Sequence, residues 1–548
     1  MDPVALGQPV TFTAMIATQP SGNASGTVKF KNGTTTLGTA AASGNSASLT
    51  ISFGSVGTDF ITASYNGNRF YEPSVSNTLS QTVQAPTTTT IVSSQNPSQN
   101  GSPVTFTVTV TSAIETPTGT VQILIPGYYY QLPTLTLSSG SAQYTTTLLP
   151  VGTDLIRAVY SGNADLLGST SQPLNQGAQF PSNFSVLYSF IGGNNGPEGL
   201  SQDSQGNFYG TTEFGGDPNC ALWYGGCGTI FKLDTNNILT VLYSFTGGGG
   251  DGAVPMARPI LDQQGNLYGT TSFGGALNGL GYGTVYELAP PAQPGGAWTE
   301  TVLHAFTGVG SDGYDPIVGL VQDSQGNLYG STVHGGANDY GTVFMLTPAG
   351  QEAWVYGFAG GSDGSDPSGL TTPDSQGNLY GTTQQGGEYG CGTVFQVNST
   401  GQESVFYNFA GPPDDGCYPQ AGLVRDSKGN LYGTAGSTVF MLTAAGQETI
   451  LYNFTGQEDG SPNARLVRDS QDNLYGTTLY GGAYGAGTVF KVAPNGQETT
   501  LYTFTGRAGV DGAYPDGGLL PDSQGNLYGT TSGGGVNGNG MVFKLAPQ

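Results

Sequence analysis

The chain has 548 residues, of which 91 are glycine, 11% are aromatic and only 9% are charged, and its formal net charge is −24. A chain of this length must divide into several domains, and its aromatic content excludes a disordered polymer. The acidity lies almost wholly after residue 176 and disfavours nucleic acid as a partner. Because no run of 18 apolar residues occurs, no membrane-spanning helix is predicted.

The first 176 residues contain two copies of one sequence pattern. PVTFTAMI at 9–16 matches PVTFTVTV at 103–110, and VGTDFITASYNGN at 56–68 matches VGTDLIRAVYSGN at 151–163. The copies are offset by 93 to 95 residues, which is the size of an Ig-like β-sandwich. The alternation of apolar and polar residues in TFTVTV and LIRAVY predicts strands with one buried face.

These motifs resemble the bacterial Ig-like repeats of surface proteins. The resemblance implies two β-sandwiches, at 1–84 and 85–176, that serve as spacers, with adhesion as the alternative. The second copy begins with an additional segment, TTTTIVSS at 87–94. We therefore expect the first module to be clipped at its N-terminal end.

From residue 181 onward the chain consists of seven copies of one unit. Its clearest mark is a segment close to DSQGNLYGTT, whose aspartate recurs as Asp203, Asp262, Asp323, Asp374, Asp426, Asp469 and Asp522. Successive copies are 43 to 61 residues apart, and each holds four short apolar segments, such as GLVQD, NLYGST, GTVFML and EAWVYGF. Four strands in a repeat of this length are typical of a propeller blade.

Tight hairpins fix the order of the strands within a unit. DSQG joins the first strand to the second and TPAGQ joins the third to the fourth, whereas longer connectors lead to the next unit. The seventh unit ends at MVFKL (541–545) without a fourth strand, and an unpaired segment, SVLYSF (185–190), precedes the first unit. We therefore predict an all-β chain in which a linker at 177–184 leads to a seven-bladed β-propeller at 185–548. Strand 185–190 would complete the last blade and close the ring.

The unit VLYSF…DG..P..GL..D..GNLYGTT..GG..G.GTVFKL.P.GQET resembles the GloVer-type tandem repeat over the whole of 181–548. The resemblance implies an exported bacterial protein, secreted or held at the cell surface, in a family whose activity is poorly defined. Strand-like sequence follows Met1 directly and the chain stops at Gln548 without an anchoring signal. We expect a mature or trimmed piece of an exported protein, and a monomer.

The loops of the predicted propeller fall into two sets. The hairpins DSQG and TPAGQ scarcely vary, whereas the connectors and the loops between the second and third strands vary and share the opposite face, where function normally resides. All four cysteines lie in these variable loops, and we predict the disulfides Cys220–Cys227 and Cys391–Cys417. A zinc site is the alternative, but the pattern has no nearby histidine. Disulfides favour an oxidising, extracytoplasmic compartment.

Aromatic residues of the variable loops are the candidates for ligand binding. Such side chains can stack on sugar rings, and the candidates are Trp223, Tyr224, Tyr282, Tyr340, Tyr389 and Tyr484. A repeated tyrosine is also what a repeated packing contact requires, so packing is the alternative for the tyrosines. We predict a propeller that binds an extracellular ligand, in the first place a glycan.

Acidic residues of the connectors are the candidates for a metal. Asp312, Asp315, Asp363 and Asp366 lie in two copies of the motif GSDG.DP and offer oxygen ligands for Ca²⁺. An Asp-Gly pair is also an ordinary turn, in which the aspartate caps its own backbone. The sequence calls for no other cofactor.

The sequence contains few residues that could act in catalysis. His334 begins the loop HGGANDYG, which also contains Asp339 and Tyr340, and an acid–base role there would make the protein a polysaccharide lyase or a glycoside hydrolase. His304 replaces the tyrosine of the VLYSF motif and is predicted to be structural. No G-x-S-x-G, HExxH or phosphate-binding loop is present. A purely structural surface module is the third alternative.

Overall fold

The computed structural model describes residues 2–19, 22–100, 102–125, 132–147, 149, 151–192, 196–220, 225–248, 250–275, 281–293, 295–456, 460–506 and 510–547. All regular secondary structure in these ranges is β-strand, and they contain no helix. The chain divides into two compact units, and the division between them falls between Gln179 and Phe180. The all-β class predicted from the sequence is confirmed.

The first unit contains two modules, each built from two sheets. In the first module the larger sheet is Val4–Ala5, Leu79–Gln84, Gly57–Tyr65, Thr27–Asn32 and Thr35–Ala41, with Ser74–Val75 at its side, and the smaller is Pro9–Met15 with Ser46–Ser52. In the second module the larger sheet is Ser98–Gln99, Leu174–Gln179, Gly152–Tyr160, Thr120–Leu124 and Leu135–Thr136, with Ser169–Thr170 at its side, and the smaller is Ser141–Thr146, Val104–Ser112 and Thr87–Ser93.

The two modules repeat their internal contacts as well as their sequence. The hydroxyl of Tyr65 donates to the Ser25 carbonyl over 2.6 Å, and the hydroxyl of Tyr160 donates to the Thr118 carbonyl over 2.7 Å. Both tyrosine side chains are buried at the end of a long central strand. Each hydroxyl thus satisfies a loop carbonyl from inside the core, where an unpaired polar group would be unfavourable.

Among the residues that the structure describes, the second unit contains seven antiparallel sheets of four or five strands, and in the first six the strands follow chain order. The first three sheets are Pro197–Gln202, Phe208–Thr212, Thr229–Leu233 and Leu239–Ser244; Ile260–Leu261, Leu267–Thr271, Thr284–Ala289 and Thr299–Ala305; and Val321–Gln322, Leu328–Thr332, Thr342–Leu346 and Glu352–Gly357. The next two are Ser365–Leu370, Leu379–Gln385, Thr393–Val397 and Glu403–Asn408; and Val424–Arg425, Leu431–Ala435, Thr438–Leu442 and Glu448–Asn453. The sixth is Ser461–Pro462, Val467–Arg468, Leu474–Tyr480, Thr488–Val492 and Glu498–Thr503.

The seventh sheet combines strands from the two ends of the second unit. It consists of Leu519–Pro521, Leu527–Thr531, Met541–Leu545 and Phe184–Ser189. Phe184 lies opposite Leu545, and the strand begins one residue earlier than the sequence pattern indicated. The ring of Phe184 stacks on Tyr502 of the sixth sheet with 3.8 Å between the ring centroids, so the early start is anchored by packing.

Aromatic pairs connect each sheet to the next. A phenylalanine that follows the fourth strand of one sheet meets, edge to face, an aromatic ring in the third strand of the following sheet. The pairs are Phe190–Phe231, Phe245–Tyr286, Phe306–Phe344, Phe358–Phe395, Phe409–Phe440, Phe454–Phe490 and Phe504–Phe543, with centroids 4.9 to 5.3 Å apart. Because Phe190 follows the last strand of the seventh sheet, its contact with Phe231 joins the seventh sheet to the first.

The repeated aspartate organises each hairpin between the first and second strands. In the third repeat, Asp323 Oδ1 accepts the backbone N–H groups of Gln325 and Asn327 at 2.8 and 2.9 Å. Its Oδ2 accepts the Asn327 amide at 2.8 Å and the Tyr329 hydroxyl at 3.0 Å. The motif DSQGNLYG is therefore one hydrogen-bonded unit, in which the carboxylate satisfies the turn.

Candidate binding site

Two kinds of loop meet on one face of the second unit. The inter-sheet connectors lead from one sheet to the next, and the 2–3 loops join the second strand of a sheet to the third. Short ladders pair the two kinds directly, and they are Gly252–Ala253 with Phe273–Gly274, Gly313–Tyr314 with His334–Gly335, and Gly512–Ala513 with Gly533–Gly534. We call this face the loop face.

A strained backbone position recurs in the connectors. The residue that precedes the connector proline has a left-handed conformation with φ between 57° and 61°, and it is Val254, Asp315, Asp366, Tyr418 or Tyr514. Its N–H donates to a carbonyl of the neighbouring 2–3 loop at 2.8 to 3.1 Å. Left-handed residues other than glycine are unfavourable and concentrate at functional sites. Four of these five side chains are aspartate or tyrosine.

Both predicted disulfides are present on the loop face. Cys220 and Cys227 close the 2–3 loop of the first sheet, and Cys391 in the fourth 2–3 loop bonds to Cys417 in the following connector. No cysteine is left free. The second disulfide therefore ties a connector to the 2–3 loop beside it.

The structure separates the candidate tyrosines into exposed and buried ones. Tyr282, Tyr340 and Tyr389 are exposed, whereas Tyr484 is only 8% exposed and therefore offers no surface to a ligand. Trp223 and Tyr224 lie outside the described residues. Three further exposed tyrosines were not identified from the sequence, and they are Tyr418, Tyr480 and Tyr514. These six tyrosines are between 42% and 60% exposed.

Some of these tyrosines form pairs across the junction of loop and connector. Tyr282 meets Tyr314 with ring centroids 5.5 Å apart and planes at 62°. Tyr480 meets Tyr514 with the same separation and planes at 66°. Two sites therefore present an edge-to-face tyrosine pair of almost the same geometry.

His334 lies beside the first of these pairs. Its ring centroid is 5.2 Å from that of Tyr314. Burial raises the pKa of Asp315 and of Asp366, and the nearby His334 works against that rise in both. The pKa of Tyr314 is raised by burial and by its hydrogen bond with Asp339. A histidine between two carboxyl groups and a tyrosine is an arrangement that can move protons.

The other two catalytic candidates are engaged in holding the loop. Asp339 Oδ1 accepts the N–H of Gly335 at 2.9 Å, so this carboxylate caps the loop that carries His334. The ring of Tyr340 lies against Gly360, where an added Cβ would overlap the ring. Tyr314, Asp315 and Asp366 thus join His334, Asp339 and Tyr340 as residues of this part of the loop face.

The four calcium candidates lie in two different surroundings. Asp315 and Asp366 lie near enough to His334 for its charge to act against the rise in the pKa of each carboxyl group. Asp363 accepts the N–H of Ala359 at 2.8 Å, and Asp312 accepts the N–H of Thr307 at 2.7 Å, so both cap a connector. In the part of the chain that the structure describes, no ligand cluster combines the four.

A Tyr–Asp–Glu contact recurs where neighbouring sheets meet. The Tyr356 hydroxyl lies 2.9 Å from Asp363 and 3.3 Å from Glu403, and the Tyr407 hydroxyl lies 3.0 Å from Asp415 and 3.1 Å from Glu448. The glutamate belongs to the fourth strand of the following sheet. The contact therefore joins two sheets through a shared hydroxyl.

Histidine takes the place of tyrosine in one copy of this contact. His304 Nε2 is 3.4 Å from Asp312 Oδ1, as the structural role predicted for His304 requires. The ligand atoms of His304, Asp312 and Glu352 lie within 4.8 Å of one another, the one group of this kind among the described residues. Nitrogen and oxygen donors of this type suit a transition-metal ion better than Ca²⁺.

A cavity of about 390 Å³ is lined by all seven repeats of the second unit. Each repeat contributes residues from the beginning of its first strand or from the connector before it. We call it the shared cavity. Its polar residues include Glu198, Arg258, Arg465 and Asp516.

Two parts of the sequence match known family models. Residues 1–84 and 90–178 match the bacterial Ig-like domain (group 3), and residues 281–438 and 435–548 match the Gloeobacter/Verrucomicrobia repeat. The chain joins bacterial Ig-like domains to Gloeobacter/Verrucomicrobia repeats. This confirms the two resemblances that the sequence motifs indicated. The matches to the Gloeobacter/Verrucomicrobia repeat begin at 281, although the first two repeats of the chain share its motifs.

Solved structures resemble this Ig-like and Gloeobacter/Verrucomicrobia repeat chain only distantly. The extracellular domain of a one-component system from B. thetaiotaomicron is 9% identical with a TM-score of 0.43, and the match covers 66% of this chain and 40% of that one. A gluconolactonase from Xanthomonas campestris is 17% identical with a TM-score of 0.31, over 55% and 86% of the two chains. The Clostridium thermocellum CbhA fibronectin(III)-like modules are 13% identical with a TM-score of 0.21, over 32% and 90%. At these scores the similarities carry no conclusion.

Two further comparisons give negative results. No curated protein sequence matches the chain. Among the described residues, no helix is long and apolar enough to cross a membrane.

Proposed function

We propose that the second unit is a seven-bladed β-propeller closed by strand Phe184–Ser189. Three observations support this architecture. The strand pairs with Met541–Leu545, seven aromatic pairs run from each sheet to the next and return to the first, and all seven repeats line one cavity. Such a ring would leave only short, protected sheet edges. The domain boundaries predicted from the sequence fit this proposal.

We propose that the propeller binds an extracellular glycan on its loop face. The observation that carries the proposal is the pair of tyrosine sites, Tyr282–Tyr314 and Tyr480–Tyr514, which have almost the same geometry. Exposed aromatic rings on rigid loops bind apolar ring faces, and the hydroxyls and nearby carboxyl groups of the same loops can bond to sugar hydroxyls. Ca²⁺ at the connector aspartates would belong to the same surface.

The setting that we propose is outside the cytoplasm, in a secreted protein or one at the cell surface. Both disulfides support it, because disulfides persist in oxidising compartments and are rare in the cytosol. The net charge of −24 keeps nucleic acid out of consideration. The Ig-like modules would act as spacers that present the propeller.

A glycan array probed with the whole chain tests the binding proposal. We expect a defined set of neutral or acidic glycans to bind, and Tyr282→Ala and Tyr480→Ala to weaken binding by about tenfold each, since a ring contact contributes about 1 kcal/mol or more. Phe70→Ala removes an exposed aromatic ring from the first unit and is the matched control. An array without hits would leave a purely structural module as the better description, and binding that survives both tyrosine changes would show that the glycan does not bind at these tyrosine pairs.

A carbohydrate-active enzyme is the second candidate, favoured by the position of His334 between two carboxyl groups. Incubation of the chain with the glycans that bind, followed by size analysis, distinguishes the two. Cleavage that is abolished in His334→Gln would establish a lyase or a hydrolase. Intact glycan after prolonged incubation would exclude catalysis on that glycan and leave binding alone.

A further inference from the structure

Two arginines interrupt a glycine position that is otherwise repeated. In five repeats a Gly-Leu dipeptide lies at or just before the first strand, and its glycines are Gly199, Gly319, Gly369, Gly422 and Gly518. In the second and sixth repeats the same position is Arg258 or Arg465. All seven residues line the shared cavity. The equivalent position in the cavity wall is therefore glycine in five repeats and arginine, with a long cationic side chain, in the other two repeats.

Neither arginine is neutralised by another described residue. Arg425 lies 3.7 Å from Asp374, and Arg468 pairs with Asp472, but no ion pair or hydrogen bond reaches the guanidinium of Arg258 or Arg465 within the described ranges. Both arginines are partly exposed and line the shared cavity, so their guanidinium donors are available to a ligand or to water.

The two guanidinium groups also lie near one another. Burial lowers the pKa of Arg258, and burial together with the positive charge of Arg258 lowers the pKa of Arg465 to about 10. Both side chains also line a second cavity, of about 290 Å³, so they stand where the two cavities adjoin. Two like charges held close together at such a place attract an anion.

The carboxyl groups of the shared cavity do not serve as that anion. Burial, followed by Asp516 and Glu213, raises the pKa of Glu198 well above its usual value, and burial raises the pKa of Asp516 to about 6. An adjacent arginine would lower the pKa of a carboxyl group, but no arginine is among the groups that shift the pKa of Glu198 or Asp516. Asp516 Oδ1 is buried without a partner. Carboxyl groups of this kind can bond to hydroxyl groups of a ligand.

We propose that the shared cavity binds a small hydroxylated carboxylate, of the size of a uronic acid. Arg258 and Arg465 would hold the carboxylate, because the planar guanidinium fork matches its two oxygens. Glu198 and Asp516, which line the same cavity, would hold hydroxyl groups. The volume lies in the range of small-molecule sites. This site is separate from the tyrosines of the loop face and stands whether or not they bind a glycan.

Isothermal titration calorimetry of the whole chain with glucuronate tests the proposal. We expect saturable binding of glucuronate and none of glucose, which lacks the carboxylate. Arg258→Gly and Arg465→Gly should each weaken glucuronate binding by at least about tenfold, since a charged hydrogen bond contributes about 1.5 kcal/mol or more. Glycine is the residue of five other repeats at this position, so these variants are designed to keep the fold, which their thermal unfolding will verify.

Arg425→Gln is the matched control, because it removes a positive charge of the same unit that does not line the shared cavity. It should leave glucuronate binding unchanged. The proposal is overturned if glucuronate does not bind. It is also overturned if the folded variants Arg258→Gly and Arg465→Gly bind glucuronate as tightly as the wild type. Displacement of glucuronate by inorganic phosphate at equal concentration overturns the assignment to an acidic sugar. The tyrosine variants should bind glucuronate normally, so the two proposals fail separately.

Discussion

The hydroxyl of Tyr407 lies 3.1 Å from a carboxylate oxygen of Glu448, and this contact joins the fourth sheet to the fifth. The glutamate is partly buried and also lies beside Asp415. Burial and this neighbouring carboxyl group raise the pKa of Glu448 to about 7. Burial likewise raises the pKa of Glu300 and of Glu403 to about 7. Three glutamates of the second unit, two of which form contacts between sheets, therefore favour the protonated state.

We expect the second unit to be more stable at pH 5.5 than at pH 8. A carboxyl group whose folded pKa is raised stabilises the fold while it is protonated, and that contribution is lost as the pH rises from the unfolded pKa, near 4.3, through the folded pKa near 7. After allowance for solvent screening, each glutamate should account for about 1 kcal/mol. Thermal unfolding as a function of pH measures the effect.

The triple variant Glu300→Gln, Glu403→Gln and Glu448→Gln should flatten this pH dependence. Glu388→Gln, at an exposed glutamate, is the control and should leave the profile unchanged. A wild-type unfolding temperature that rises between pH 5.5 and 8 would contradict the raised pKa values of these three glutamates.

Replacement of Asp323 should destabilise the protein more than loss of one of its hydrogen-bond partners. The carboxylate accepts four hydrogen bonds in its hairpin, and these hold its pKa below the usual value although burial opposes them. Asp323→Ala should lower the free energy of unfolding by about 2 kcal/mol, and Tyr329→Phe by about 1 kcal/mol, because it removes only one of the four bonds. Denaturant unfolding gives both values. Equal losses from the two variants would show that the other three hydrogen bonds of the carboxylate add nothing to stability.

The two disulfides should differ in their contribution to stability. Cys391 and Cys417 are 26 residues apart, whereas Cys220 and Cys227 are seven apart. In the chain-entropy account a longer loop gives the larger stabilisation, so Cys391→Ser with Cys417→Ser should cost about 3.5 kcal/mol, about 1 kcal/mol more than the other pair. Thermal unfolding of the two double variants tests the order. A larger loss from the short loop would contradict it.

Tyr418→Gly should stabilise the fold while it removes a side chain from the loop face. Tyr418 has a φ of 58° and is largely exposed, so glycine relieves backbone strain at little loss of packing. We expect a gain of about 1 kcal/mol in the free energy of unfolding. Tyr418→Ala is the control, because alanine keeps the strain and should give no gain. A loss with glycine would mean that the ring contributes to packing.

The repeat pattern predicted the scaffold well, because each element recurs seven times and errors in one copy are corrected by the others. The hairpins, the strand order and the pairing of all four cysteines follow from that regularity. Tyr484 was misjudged because spacing does not reveal which way a loop side chain points. In the sixth repeat the second strand extends to Tyr480, which takes the exposed place, and Tyr484 is buried near Tyr502.

The arginines of the shared cavity were overlooked for the opposite reason. A consensus such as GL hides the copies that depart from it, and Arg258 and Arg465 are such departures. A column-by-column comparison of the seven repeats would have shown two arginines among five glycines. That they lie close together could not have been read from the chain, because they are 207 residues apart in the sequence. Only the convergence of all seven repeats on one cavity brings them near.

The pairing of Phe184 with Leu545 has a mechanical consequence. Asn183 and Ala546, the residues just outside this pair, are joined by a 2.7 Å hydrogen bond, so the chain enters and leaves the seventh sheet at the same end of the ladder. Tension between these two points would break the hydrogen-bonded pairs of the ladder one after another, rather than load the whole strand in shear. Under a pulling force along the chain, this ladder would therefore open before the other sheets of the second unit.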